Sequence, residues 1–415
     1  MLNEAYEPQC RSAKAHCTDA KQIGRRRLTL LALALGTFCI GTSEFASMGM
    51  LQLFAATLAL DLSTATHAIE AYAFGVVLGG PAVTILAAQL NRRSLLLALM
   101  LIFVLGNVLS AVATGLGSFA LARFVSGIPQ GAYFGAGAVV ASYIVGPGQG
   151  GRAFALVMTG LTVATIFGSP LATLMGQTLG WRNAYLAVSG LGLLSFLALW
   201  IWVPRSGALD GGPVLQELRA LNRAAVWSMV AVAALGVASI FAVYTFIGPF
   251  VTDGAGLGAA WIPIALGLFG IGMTAGNFIG GWLADRHPSH GLIAGFGSAL
   301  VVLALLALGG RSAWVLMGGL LAVGTTMMVA IPTIQVRLTE AAPDAPTLMG
   351  AMNLAALNVA NAIGAWAGGH TIAQGLGLLS AVWAGFALTL AGLVLFLVVR
   401  RRPAEGRRAG ELYPL

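Results

Sequence analysis

The sequence predicts an all-α integral membrane protein of twelve transmembrane helices, divided six and six. Three observations carry that prediction. The 415 residues are 58% hydrophobic and only 9% charged, with a mean hydropathy of +0.88, whereas an ordinary soluble domain is about one quarter charged. Apolar stretches of about 20 residues, enough to cross a hydrocarbon core of about 30 Å, recur along nearly the whole chain, which implies helices and not a β-barrel. Arginines also alternate from gap to gap between these stretches, as an even number of crossings requires.

The first span, 28–52, follows Lys14, Lys21 and Arg25–Arg27, and it holds one full charge, Glu44, in an otherwise uncharged run from Leu28 to Leu60. The polar residues ahead of it, 1–27, read as a disordered tail, and the apolar run after Arg27 is too long for a signal-peptide core. The second span, 67–90, closes on Ala88, Gln89 and Asn91; Arg92 and Arg93 then precede the third, 95–113. The fourth, 117–142, admits Arg123 a few residues in, and the fifth, 152–176, starts at Arg152. The sixth, 184–203, lies between Arg182 and Arg205. The longest polar gap follows over 204–224, with Asp210, Pro213, Glu217 and Arg219, and it separates a bundle at 28–203 from a second at 225–400. Spans at 225–250, 259–284, 291–309, 313–337, 347–370 and 376–399 complete the second bundle, and 401–415 form a tail.

Most arginines sort by loop parity. Arg92, Arg93, Arg152, Arg205, Arg219, Arg223, Arg286, Arg337 and Arg400–Arg402 share one face with the N-terminus, and the opposite gaps hold only Arg182 and Arg311. By the positive-inside rule the Arg-rich face and both termini are cytoplasmic, and a multi-pass position in the cell inner (plasma) membrane is expected. The net charge of +8 and pI near 9.9 thus reflect topology and imply no nucleic-acid partner. Cys10, Cys17 and His16 in the tail and Cys39 in the first span read as inert residues, not as a metal site, and no cofactor is expected. Both lysines lie in the tail, outside any GxxxxGK[ST], which excludes a P-loop ATPase. Gly270-Ile-Gly272-Met-Thr-Ala-Gly276 is discarded as a nucleotide loop because it lies inside an apolar span with no preceding strand. With 56 glycines in the chain, close helix packing is the default role of any one of them.

Several motifs point in one direction. Gly41-Thr-Ser-Glu44-Phe45, Arg123-Phe-Val-Ser-Gly127 with Gln130-Gly131, Gly160 through Gly168-Ser169-Pro170 to Gly176, and Asn353, Asn358 and Asn361-Ala-Ile-Gly364 together resemble the major facilitator superfamily. The resemblance covers 28–400 and is to its proton-coupled drug and sugar efflux branch. It implies two pseudo-symmetric six-helix bundles around a central cavity, alternating access, and a proton gradient in place of a cofactor. It also implies an antiporter motif at Gly160, Gly168, Ser169, Pro170 and Gly176, and cytoplasmic gate loops at Arg92, Arg93, Asp285 and Arg286. The sequence departs from the branch at Ala88 and Gln89, where the loop motif has Asp-Arg, and at Ser169, where the antiporter motif has Gly.

Elementary chemistry runs beside the resemblance. Thr37, Gly41, Glu44 and Met48 recur at helical spacing and share a face suited to lining a cavity. At 1.5 Å per residue Glu44 lies roughly 24 Å from the start of its span, and Arg123 enters from the other side to a depth of roughly 7–13 Å, so the two can share a level. A neighbouring arginine favours a charged carboxyl and desolvation a neutral one, so alternation between these surroundings would make Glu44, with Arg123, a proton-coupling pair. A static pair that only locks helices is the plain alternative. Tyr72, Gln130, Phe134, Phe241, Tyr244, Asn353, Asn358 and Asn361 offer aromatic faces and uncharged hydrogen bonds, as a cavity for a neutral amphipathic or hydroxylated small molecule requires. The resemblance admits sugars, nucleosides and amphipathic drugs as cargo, and it implies export in exchange for protons, expected of a monomer in the lipid bilayer. Proton symport or facilitated diffusion on the same fold is the alternative. An intramembrane enzyme is remote, because no HExxH, Cys/His pairing or dense acidic cluster is present.

Overall fold

The computed structural model describes residues 7–146, 150–210, 217–286 and 290–401, and no strand occurs among them. Twelve long helices follow in order. The first half contains α1 (Glu7–Gly49), α2 (Leu62–Leu86), α3 (Arg92–Val112), α4 (Leu116–Val145), α5 (Ala155–Leu179) and α6 (Trp181–Trp202). The second contains α7 (Ala224–Tyr244), α8 (Trp261–Arg286), α9 (Gly291–Gly309), α10 (Ala313–Ala341), α11 (Pro346–Ala373) and α12 (Ser380–Arg401). Among the described residues eleven of these are long and apolar enough to cross a membrane; the twelfth, α2, spans 25 residues, with Ser63, Thr64, Thr66, His67 and Glu70 in its first turns and an apolar stretch after them.

Three boundaries differ from expectation for physical reasons. A helix takes the place of the disordered tail from Glu7 onward, in a segment rich in Ala, Lys, Arg and Gln, all good helix formers. The second span starts at Leu62 and not at 67, because Asp61 caps it by accepting the Thr64 N–H at 2.9 Å. The Thr64 bonds hold the Asp61 carboxyl below the usual carboxylate range. The seventh span, expected to run to 250, gives way after Tyr244 to a short turn at Ile247–Pro249 and a π-turn at Phe250–Gly254, where Gly248 and Pro249 weaken a regular helix.

The two halves repeat a packing scheme. Gly160, Gly168 and Gly176 of α5 lie eight residues apart, and α1 fills the space that a Cβ would occupy at each of them, with Ala34 and Thr37, then Thr42, then Met50. In the second half Gly364 and Gly368 of α11 meet Ala238 and Phe246 in the same way. On α2, Gly75 and Gly79 abut the backbone of Phe124 and Ile128 in α4; on α8, Gly272, Gly276 and Gly280 abut the carbonyls of Leu321, Thr325 and Val329 in α10. Lipid tails are as apolar as leucine, so helices in a bilayer gain little by hiding leucine from them; close backbone approach at glycine supplies van der Waals contact in its place.

In α5 the chain forms a π-turn over Ala164–Gly168 just before Ser169 and Pro170. Pro170 has no N–H to donate to the preceding turn, which favours such a widening. The freed stretch faces α8: a Cβ on Gly270 would lie 2.5 Å from the Thr165 carbonyl oxygen, and one on Gly267 would lie 3.6 Å from that of Ile166. The expected bend at Pro170 is therefore a point where the two halves touch.

Candidate functional site

Glu44 sits near the end of α1 and is 5% exposed, at a point where α1, α4 and α11 converge. Gln130 Nε2 donates to Glu44 Oε2 at 2.9 Å, and Asn361 Nδ2 donates to Oε1 at 3.4 Å. The two donors come from different halves. The Tyr72 hydroxyl donates to Gln130 Oε1 at 2.8 Å, which turns the Gln130 amide nitrogen toward Glu44. Tyr72, Gln130, Glu44 and Asn361, all named from the sequence, are thus one connected chain.

Arg123 is fully buried beside that chain and forms no ion pair among the described residues. It and Glu44 do share a depth, yet its partner is the preceding residue: Nη1 donates to Ser43 Oγ at 2.9 Å and Nη2 to the Ser43 carbonyl at 3.1 Å. The guanidinium carbon lies 4.5 Å from the ring centre of Tyr72 and 5.2 Å from that of Tyr185. Ser43 Oγ in turn donates to Asn107 Oδ1 at 2.7 Å, and the Ser47 and Tyr185 hydroxyls are 2.8 Å apart. A cation held in this way is stabilised by carbonyl and hydroxyl dipoles and by two ring faces. Tyr72 connects it to the Glu44 chain.

Other residues named from the sequence fall elsewhere. Tyr244 bonds the Ser169 hydroxyl at 3.0 Å, which joins the antiporter motif to the second half, and its ring meets Phe45 and Phe269 edge-on at 5.3 and 4.9 Å. Asn353 donates to Gln335 at 2.8 Å, and Asn358 donates to the Leu354 carbonyl of its own helix at 3.0 Å, so neither reaches Glu44. Phe134 and Phe241 are buried, the latter against Gly364. The face of α1 expected to line a cavity is divided instead, since Thr37 donates to the Val157 carbonyl and Gly41 packs on Leu161, both in α5. At the Arg-rich end Arg93 donates to the Trp200 carbonyl at 2.5 Å, Arg92 is half-buried, and Arg286 lies over the Trp282 ring at 4.9 Å. The Asp285 side chain lies outside the described residues.

Sequence reasoning missed Ser43, Asn107 and Tyr185, which hold Arg123. Asn107 was visible as a lone amide in an apolar span, and Ser43 as the neighbour of Glu44. It also passed over Glu70, whose oxygens meet His67 Nδ1 at 2.9 Å and Thr66 Oγ1 at 3.0 Å near the Arg-poor end of α2.

Hydrogen bonds that join the halves run from mid-membrane to the Arg-poor end. Besides Glu44 with Asn361 and Ser169 with Tyr244, Gln52 donates to Thr252 at 3.0 Å and Gln177 to the Ala259 carbonyl at 2.9 Å. The molecule is closed at that end.

Comparison with known proteins agrees with this architecture. The model of the family described as Major Facilitator Superfamily matches residues 33–365. The chain is 38% identical over 380 residues to the inner membrane transport protein YdhP of Escherichia coli (strain K12), covering 90% of this chain and 96% of that one. It is 33% identical over 390 residues to a chloramphenicol resistance protein of Streptomyces lividans, covering 92% and 100%. Among solved structures, a bacterial homologue of the human lysosomal transporter Spinster superimposes with a TM-score of 0.73 at 15% identity, covering 93% of this chain and 99% of that one.

Proposed function

The chain belongs to the Major Facilitator Superfamily, and from that membership we propose that it exports a small molecule in exchange for protons, with Glu44 as the proton-loading carboxyl. One observation carries the proposal: a buried carboxyl at the meeting point of two halves, bonded to an amide from each and in no ion pair among the described residues. An ionisable group inside a membrane costs roughly 2.5–3.5 kcal/mol on insertion scales and is retained mostly where it serves an ion or substrate path. Amide partners favour the ionised carboxyl only moderately, and burial opposes it, so both protonation states are within reach of a change in surroundings. A carboxyl locked to Arg123 would have been a poorer carrier.

Export is supported by the relative named for chloramphenicol resistance, and a bilayer position of the inner-membrane type by YdhP. The arginine distribution favours the Arg-rich end in the cytoplasm, and the closed end is then the one that faces outward. The cargo is an uncharged or amphipathic small molecule, since the groups around Glu44 are amides, hydroxyls and rings. No group of this chain has to react with it covalently, and no cofactor is needed.

The test is transport in inverted vesicles with an imposed pH gradient, after a thermal-shift screen of sugars, nucleosides and amphipathic drugs has picked a cargo. Accumulation driven by acid on the lumenal side is expected for the wild type and is lost in Glu44→Gln, which keeps its fold and its cargo-induced thermal shift. Coupled accumulation in Glu44→Gln sinks the proton-loading role. Flux in the opposite direction, with protons, identifies symport.

A further inference from the structure

Granted Glu44 as the proton-loading group, we infer that Asn361 is the positioning residue through which the second half receives that proton: its amide donates to the ionised carboxyl and turns over to accept from the protonated one. The role rests on the proposed function and goes beyond it, because it assigns the proton to one oxygen of the carboxyl and to one partner.

A protonated carboxyl acquires an O–H that must find an acceptor, since an unpaired buried donor costs about 1–3 kcal/mol. Gln130 has one amide oxygen, and the Tyr72 hydroxyl donates to it at 2.8 Å. Gln130 is thereby fixed as a donor to Oε2. Ser43 Oγ already donates to Asn107 and accepts from Arg123, and the Ser43 carbonyl accepts from Arg123 as well. Asn361 differs. Its side chain is fully buried, its Nδ2 points at Glu44 Oε1, and its Oδ1 has no hydrogen-bond partner among the described residues. A half-turn of the amide about its terminal bond exchanges the two atoms with little change in shape, so the vacant acceptor comes to face Oε1. The proton therefore rests on Oε1, the oxygen facing the second half.

The charged and titratable groups that face the carboxyl from neighbouring helices are Arg123 of α4, Tyr72 of α2 and Tyr244 of α7, and Tyr185 of α6 faces Arg123. Among the described residues none of the three tyrosine hydroxyls is hydrogen-bonded to Glu44; each is directed at another partner. The Tyr72 hydroxyl is engaged with Gln130, that of Tyr244 with Ser169 and that of Tyr185 with Ser47. Arg123 is donor-only. The contact between α1 and α11 thus changes character with the proton. A long donor contact to the ionised oxygen, 3.4 Å, is replaced by a neutral bond of reversed direction.

Infrared difference spectroscopy between alkaline and acidic pH, on the full chain in lipid, tests this directly. A protonated-carboxyl C=O band that is present in the wild type and absent in Glu44→Gln belongs to Glu44. In Asn361→Leu that band is expected to move to higher frequency, because the O–H has lost its acceptor. Asn361→Ala carries the same measurement if the leucine variant does not fold. Asn358→Leu changes an amide of the same helix that does not reach Glu44, and in it the band is expected to stay at the wild-type position. A Glu44 band unmoved in both Asn361 variants overturns the assignment to Asn361 and leaves the proton-loading role standing. Absence of any Glu44-dependent band in the wild type at all pH values overturns the proton-loading role itself.

Discussion

Arg123 shows how a full charge can be kept inside a membrane protein without a direct ion pair. Its donors meet a hydroxyl and a carbonyl of the same residue, Ser43, and its flat guanidinium is flanked by Tyr72 and Tyr185. A lysine has three donors around a point charge and no plane to stack, so it cannot reproduce both sets of contacts. Arg123→Lys is expected to destabilise the protein by about 1.5–3 kcal/mol, the usual value of hydrogen bonds to a charged group, read as a lower unfolding temperature in detergent; an unchanged temperature would show that the stacked geometry contributes nothing. At this scale the sequence was informative about depth and silent about partners. Depth follows from the rise per residue, so the shared level of Glu44 and Arg123 could be worked out. Successive residues are turned by about 100° around a helix, so whether Arg123 meets Glu44 or Ser43 depends on how α1 is rotated against α4. Only packing decides that.

Glycine seams organise the elements. Those on α8 explain the Gly270, Gly272 and Gly276 pattern that superficially suggests a phosphate loop: Gly272 and Gly276 admit the carbonyls of α10, and Gly270 admits that of Thr165 across the interface. A side chain at Gly276 would run into the Thr325 carbonyl and lie 2.9 Å from the Met328 Cβ, whereas one at Gly281 meets nothing within 4 Å. Gly276→Ala is therefore expected to cost about 1–3 kcal/mol, the range for overpacking. Gly281→Ala is expected to be neutral or slightly stabilising, since alanine favours a helix by about 1 kcal/mol over glycine. Unfolding temperatures of the two variants, measured side by side, check the pair; equal losses would mean that helix propensity and not the seam is at stake. The abundance of glycine made close packing the natural reading in advance. Which seam each glycine serves was hidden, because a helical repeat of three or four residues names a face but not its neighbour. The π-turn before Pro170 was legible only as a bend.

For the whole molecule, twelve spans, their grouping and the Arg-rich face were written in hydropathy and charge. The state of closure was not, because the open and closed forms of such a protein are built from the same helices and differ only in which ends meet. The closed end predicts a cross-link. A Cβ on Gly369 of α11 would lie 3.4 Å from the Cα and Oγ of Ser63 in α2, so cysteines at both positions fall within reach of a disulfide. Ser63→Cys with Gly369→Cys is expected to stop turnover on oxidation and to regain it on reduction, with either single variant unaffected by oxidant. Undiminished transport by the oxidised double variant, with the bond verified, would mean that this end does not need to open.

Glu44 is one carboxyl, bonded to neutral amides and in no ion pair among the described residues. A carrier of that kind changes its net charge by one each time it loads, and an uncharged cargo moving the other way does not compensate it. On the proposed exchange of one proton for one uncharged cargo molecule, each cycle carries one positive charge inward, and the electrical potential contributes about 2.3 kcal/mol per 100 mV alongside the pH difference. An energised membrane would thus drive this exchange even where the two sides have equal pH.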